Sequence, residues 1–170
     1  CMGMAALLWC LSSGTQGADN KTETKAEAKT PTAWKTPTNE QIRQQLQDWL
    51  TKTAATGNSF AQQAEPLLVD IEIGEDRLEA IVNILSIPAP RIARFVSDCR
   101  QSPPIPGPTD WLDSNDVAPF VRHNLRLYAG RQLARAGYYE EAMLHLAAVD
   151  LAVASDPASL LFYRAVAEHQ

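Results

Sequence analysis

Lysine disappears from this chain after Lys52; from there to Gln170 every basic residue is arginine. Four of the five lysines fall between Lys21 and Lys35, so the composition changes near residue 38. Positive charge is scarce overall. With 15 basic residues against 20 acidic ones the formal net charge is −5, which argues against nucleic acid as a partner, because phosphate binding draws on a basic face. Cysteine is scarce as well, with three in 170 residues. Cys1 and Cys10 lie in an N-terminal apolar run, which leaves Cys99 alone in the body of the chain. A single thiol cannot close an internal disulfide, so the fold must rest on its core, and an apolar content of 45% is enough to build one. Recognisable reaction motifs are missing too: there is no GxxxxGK[ST], GxSxG, CxxC or HExxH. Nothing in the sequence implies a cofactor, a metal or catalysis.

No apolar run is long enough to span a bilayer, which takes about 18 residues or more. The one candidate, Met2 to Ser13 (MGMAALLWCLSS), is uncharged and has the length of a signal-peptide core, with small residues following in SGTQGA. Residues 1–18 are therefore read as a signal-peptide remnant, cleaved after Gly14 or Gly17, and the protein as exported to the periplasm or cell envelope with no membrane span after cleavage. Leu8 and Trp9 before Cys10 fit a lipid-attachment box poorly. Residues 19–38, DNKTETKAEAKTPTAWKTPT, hold too little apolar surface to offset the entropy of ordering, so this stretch is expected to be a disordered tether.

The rest reads as all-α. Thr38 or Asn39 caps a helix carrying Ile42, Leu46, Trp49 and Leu50 on one stripe. A helical piece is expected over Phe60 to Leu68, weakened by Pro66. Val69, Ile71 and Ile73 alternate with Asp70 and Glu72 as in a strand, but no partner strand exists, so an extended connector is expected there. Helices follow over Glu75 to Ser86, with Leu78, Ile81, Val82 and Leu85 inward, and from Pro90 to Cys99, with Ile92, Phe95 and Val96 inward. Cys99 in FVSDCR reads as a plain, half-buried thiol. Gln101 to Asp110 (QSPPIPGPTD) is a stiff Pro-rich connector. Beyond it, helices are expected over Val117 to Ala136, Tyr139 to Ala148, and from Pro157 with Asp156 as cap. The organisation is thus an N-terminal helical region 39–100, the connector 101–110 and a second helical region 111–170.

Within that last region, Arg126 to Pro157 resembles a tetratricopeptide repeat, patterned W-x2-L-G-x2-Y…A-x3-F…P over 34 residues. Ala129-Gly130 stand at the L-G pair, Leu133 at the Tyr position, and Ala142 and Leu146 at the A-x3-F step, with Gly137 in the turn. Arg126 occupies the Trp position, and Pro157 comes about three residues late against the pattern. The stretches DPASLLFYRAVAEH and PFVRHNLRLYAGRQLA are similar to parts of exported bacterial proteins with repeat-like helices. The resemblance implies antiparallel helical hairpins, an α-solenoid fragment cut short at both ends. It also implies a protein or peptide partner held in a groove lined by first helices, for which Arg122, Arg126, Tyr128 and Arg131 are the candidate residues.

On a helical wheel Val121, Leu125, Tyr128, Ala129 and Leu133 fall on one face and Phe120, Leu127 and Ala134 on another, so this helix should be covered on two sides. Arg122, Arg126, Arg131 and Arg135 split into opposed pairs and cannot form one phosphate track. His123, His145 and His169 are scattered over three helices, without metal-ligand spacing. Glu65 to Glu79 holds six acids against Arg77, but Gly74 stands at the fifth place of DIEIGEDRLE where a calcium loop needs the sixth; DWLDSNDV reads as turn and cap residues. The functional expectation is a non-catalytic scaffold binding a protein or peptide outside the cytoplasm. The alternatives are an accessory helical domain of a larger exported enzyme and a structural spacer of the envelope.

Overall fold

The computed structural model describes residues 35–68 and 76–170. The signal remnant, the tether up to residue 34 and the extended connector over residues 69–75 lie outside the described residues. Within them every regular element is helical and no strand occurs.

Local chemistry sets the helix starts. α1 (Asn39–Ala55) opens on a reciprocal capping box: the Gln41 amide donates to Thr38 Oγ1 at 3.2 Å and the Thr38 amide donates to Gln41 Oε1 at 2.8 Å. Its inward stripe is Ile42, Leu46 and Leu50. Gly57, at φ 84°, turns the chain into α2 (Ser59–Ala64). The expected helix over residues 60–68 divides: the α-turns stop at Ala64 and a 3-10 turn takes Glu65–Leu68. Pro66 has no N–H to donate to the preceding turn. α3 (Arg77–Ser86) begins two residues later than the sequence suggests, because Asp76 is its cap, Oδ1 accepting from the Glu79 amide at 3.0 Å. α4 (Pro90–Cys99), α5 (Pro119–Arg135) and α7 (Pro157–His169) each start on a proline, the residue whose missing N–H costs nothing in a first turn. α6 (Tyr139–Leu146) follows α5 across Gly137, which sits at φ 86°.

α5 is the centre of the molecule, packing against α3, α4, α6 and α7. Twelve of its 17 residues are buried, so it has no single apolar face to turn inward; it is enclosed. Toward α6 the approach is close: a Cβ placed on Gly130 would lie 2.5 Å from Leu146 Cγ and 3.2 Å from the Ala142 carbonyl oxygen. Helices on both sides of the Pro-rich connector share one hydrophobic core, from Ile42 and Leu46 through Leu85 and Phe95 to Leu146 and Leu160. α6 ends early, at Leu146 where Ala148 was expected. Arg164 of α7 caps it from the side, its guanidinium donating to the Leu146 and Val149 carbonyls at 2.6 Å each.

Candidate interaction surface

The four residues expected to line a groove do not face outward. Tyr128, Arg131 and Arg126 are 0%, 4% and 8% exposed. Arg131 donates to Asp76 Oδ1 at 2.8 Å and to Glu79 Oε2 at 3.3 Å, tying α5 to the start of α3. The Tyr128 hydroxyl accepts from Arg100 Nε at 3.0 Å, and the Arg131 guanidinium lies 5.6 Å from the Tyr128 ring centroid. Arg100 also donates to Glu79 and Asn83, so two arginines and two carboxylates close into one network among α3, α4 and α5. Arg126 donates from Nη2 to both carboxylate oxygens of Asp113, at 2.8 and 2.9 Å. Arg122, half-buried, donates to the Ser114 and Val117 carbonyls at 3.0 and 3.3 Å. These side chains fasten α5 to its surroundings. The resemblance placed them on a free helix face, whereas α5 has none.

Charge behaviour follows from this burial. Desolvation would raise the Asp76 carboxyl, but the hydrogen bonds from Arg131 and the Glu79 amide, with the charges of Arg131 and Arg135, hold it below its usual value. Desolvation raises Tyr128. Cys99 is buried rather than half-buried, and desolvation, with Asp98 adding to it, pushes its thiol up to about 12, which disfavours the thiolate. His145 is pushed down to about 4 by burial and by the nearby Arg126 charge; its Nδ1 has no hydrogen-bond partner among the described residues. His123 Nδ1 accepts from the Asp150 amide at 3.1 Å, a structural contact. Among the described residues no group of three or more His, Cys, Asp or Glu stands where it could hold a metal ion, and no helix is long and apolar enough to cross a membrane.

The surface that is free lies elsewhere. Leu144 is 74% exposed and Ile105 62%, and with Tyr138 they line one open cleft of about 330 Å³ between the Pro-rich connector and α6. The connector is held there by the Ile105 amide, which donates to the Asp98 carbonyl at 3.2 Å, while Pro104 and Pro106 stiffen it on either side. Along α6, Ala142 and Leu146 face the core; Leu144, two residues from each, is turned out by helical geometry. Glu141 stands on the rim and His145 at the wall, uncharged near neutral pH; no lysine or arginine lines the cleft. Neither Glu140 nor Glu141 makes an ion pair among the described residues. Leu144 was legible in principle, since its wheel position opposes Ala142. Ile105 was not, because its exposure depends on how the connector crosses α6.

Comparison of the chain with protein-family models, with curated proteins and with solved structures gives no match.

Proposed function

We propose that this protein is a non-catalytic helical binding module, exported to the periplasm or cell envelope, that holds an extended apolar peptide segment bearing a lysine or arginine. The cleft between the connector and α6 is the binding site. What carries the reading is the convergence of Ile105, Tyr138 and Leu144, all outward-facing, on a cleft rimmed by an unpaired acid. Large apolar side chains are normally drawn inward, and a cluster left in water beside a rigid, proline-stiffened edge marks a place where a partner covers it. Charge selects the partner: Glu140 and Glu141 supply negative potential with no cation in the cleft to oppose it.

The α5–α6 pair, with α7 following, is read as a tetratricopeptide-like hairpin and the start of the next. Support comes from Gly137 at the turn and from Gly130 lying against Leu146 and Ala142, the small-residue and step positions of the pattern. Export rests on the uncharged run Met2 to Ser13.

The test is fluorescence polarisation with short labelled peptides of matched apolar content that carry lysine, alanine or glutamate. The lysine peptide should bind tightest, weaken with added salt, and lose about tenfold or more on Leu144→Glu or Ile105→Asp. Equal binding of all three peptides, or undiminished binding by both variants, would remove the cleft from consideration.

A further inference from the structure

A second cleft, distinct from the one above, lies on α4 beyond the Pro-rich connector. It has a volume of about 300 Å³ and is lined by Arg91, Arg94, Phe95, Asp98, Pro108 and Trp111. Its arginines differ from all others in the chain. Arg77, Arg100, Arg122, Arg126, Arg131, Arg135 and Arg164 each donate to an internal carbonyl, carboxylate or hydroxyl, and Arg43 pairs with Glu40. Arg91 and Arg94 make no hydrogen bond or ion pair among the described residues, and both are exposed. They stand one helical turn apart beside the inward stripe of Ile92, Phe95 and Val96, and both line the cleft that Phe95 and Trp111 border.

The cleft is also shaped in advance. Trp111 is set by an edge-to-face contact with Phe95, ring centroids 6.0 Å apart. The Arg91 guanidinium lies 4.7 Å from the Trp111 ring centroid. Stacking uses the face of a guanidinium and leaves its in-plane N–H donors free, so Arg91 is held in place without being consumed. Pro108 and the uncovered part of Trp111 offer apolar surface next to the donors.

We propose that this cleft binds a carboxylate attached to an apolar body, as presented by a peptide through a glutamate or aspartate side chain or through its C-terminus. The two guanidiniums take the carboxylate in a forked arrangement and the apolar body lies on Trp111 and Pro108. Asp98 determines which anion is accepted. With two arginines and one aspartate the cleft carries one net positive charge, which matches a monoanion; a phosphate dianion would be repelled by the Asp98 carboxylate, one oxygen of which accepts from Gln101 Nε2 at 3.3 Å.

Isothermal titration of the full chain decides the matter, with four probes: a capped leucyl-glutamate amide, its leucyl-glutamine counterpart, a leucine dipeptide with a free C-terminus, and inorganic phosphate. The glutamate probe should bind about tenfold or more tighter than the glutamine one, and Arg91→Gln and Arg94→Gln should each cost about tenfold, because each removes a charge-assisted donor. Both positions are exposed, so thermal melting of these variants should match the parent. Asp98→Asn should admit phosphate, which the parent binds more weakly than either carboxylate. Comparing the glutamate and free C-terminus probes tells which source of carboxylate is preferred. Glutamate binding no tighter than glutamine together with no heat from the free C-terminus, unchanged affinity in both arginine variants, or phosphate preferred by the parent would each overturn the proposal.

Discussion

Replacing Gly130 with alanine tests the close approach of α5 and α6. The added Cβ would meet Leu146 Cγ at 2.5 Å and Cδ2 at 2.6 Å, with the Ala142 carbonyl oxygen at 3.2 Å. Carbon atoms at rest sit about 3.5–4.0 Å apart, so roughly 1 Å must be found by moving side chain or helix. Leu146 is 0% exposed, and α6 also packs against α7, so neither yields freely. Two effects oppose each other. Alanine in a helix interior is about 1 kcal/mol better than glycine, while overpacking a filled core costs about 1–3 kcal/mol. The net expectation in the native background is a loss of about 0–2 kcal/mol, or up to roughly 8 °C in melting temperature for a chain of this size. Leu146→Ala alone, which opens a cavity, should cost about 2–5 kcal/mol. In that background the Leu146 atoms are gone and only the 3.2 Å contact with the Ala142 carbonyl oxygen remains, so Gly130→Ala should become favourable by up to about 1 kcal/mol. The four proteins of the cycle, unfolded in urea and followed by helical circular dichroism, should therefore show a coupling of about 1–3 kcal/mol. If Gly130→Ala stabilises the parent by its helix propensity alone, and the cycle is additive to within about 0.5 kcal/mol, the two helices do not approach as described.

His145 predicts an acid sensitivity. Its folded value is about 4 against an ordinary 6.5, so between those values the unfolded chain binds the proton and the folded one does not. Stability is therefore full above about 6.5 and falls as the pH drops toward about 4, by at most about 3 kcal/mol; His145→Gln should flatten that part of a urea-unfolding profile, while an unchanged slope would show the ring to be solvated. The Asp76 contribution has the opposite kind of group but the same sign: its carboxyl is held below 3.8, so it loses its stabilising effect only below that value, outside the histidine window. Arg131→Met should cost about 2–3 kcal/mol, below the full penalty for breaking a buried pair because Asp76 and Glu79 can be rehydrated. The same variant should let the Asp76 carboxyl titrate upward by NMR; an unmoved Asp76 would contradict the assigned bridge.

Much of the helical layout is written within three or four residues of where it acts. Thr38, Asp156 and the prolines at 90 and 157 each set a helix start by a local rule, which is why those starts could be read directly, whereas α5 starts at Pro119, two residues after the Val117 expected. Inward stripes such as Ile42, Leu46 and Leu50 are likewise a matter of periodicity. Where local rules competed, the reading slipped: Asp76 overrode Glu75 as the start of α3, and Pro66 divided the helix it was expected only to weaken.

The fate of the charged residues was beyond such rules. Arg126 finds Asp113 13 residues away, and Arg131 finds Asp76 and Glu79 at separations of 55 and 52. A wheel shows which side of a helix a residue occupies but not whether that side meets solvent or another helix bearing a carboxylate. By itself, then, the sequence determined the all-helical character of the described residues, most of the helix boundaries and the apolar stripes, because these depend on neighbours along the backbone. Only tertiary packing decided that α5 is enclosed, that its arginines are spent internally, and that Ile105, Leu144, Arg91 and Arg94 are left facing water, because exposure is what remains after distant elements have covered one another.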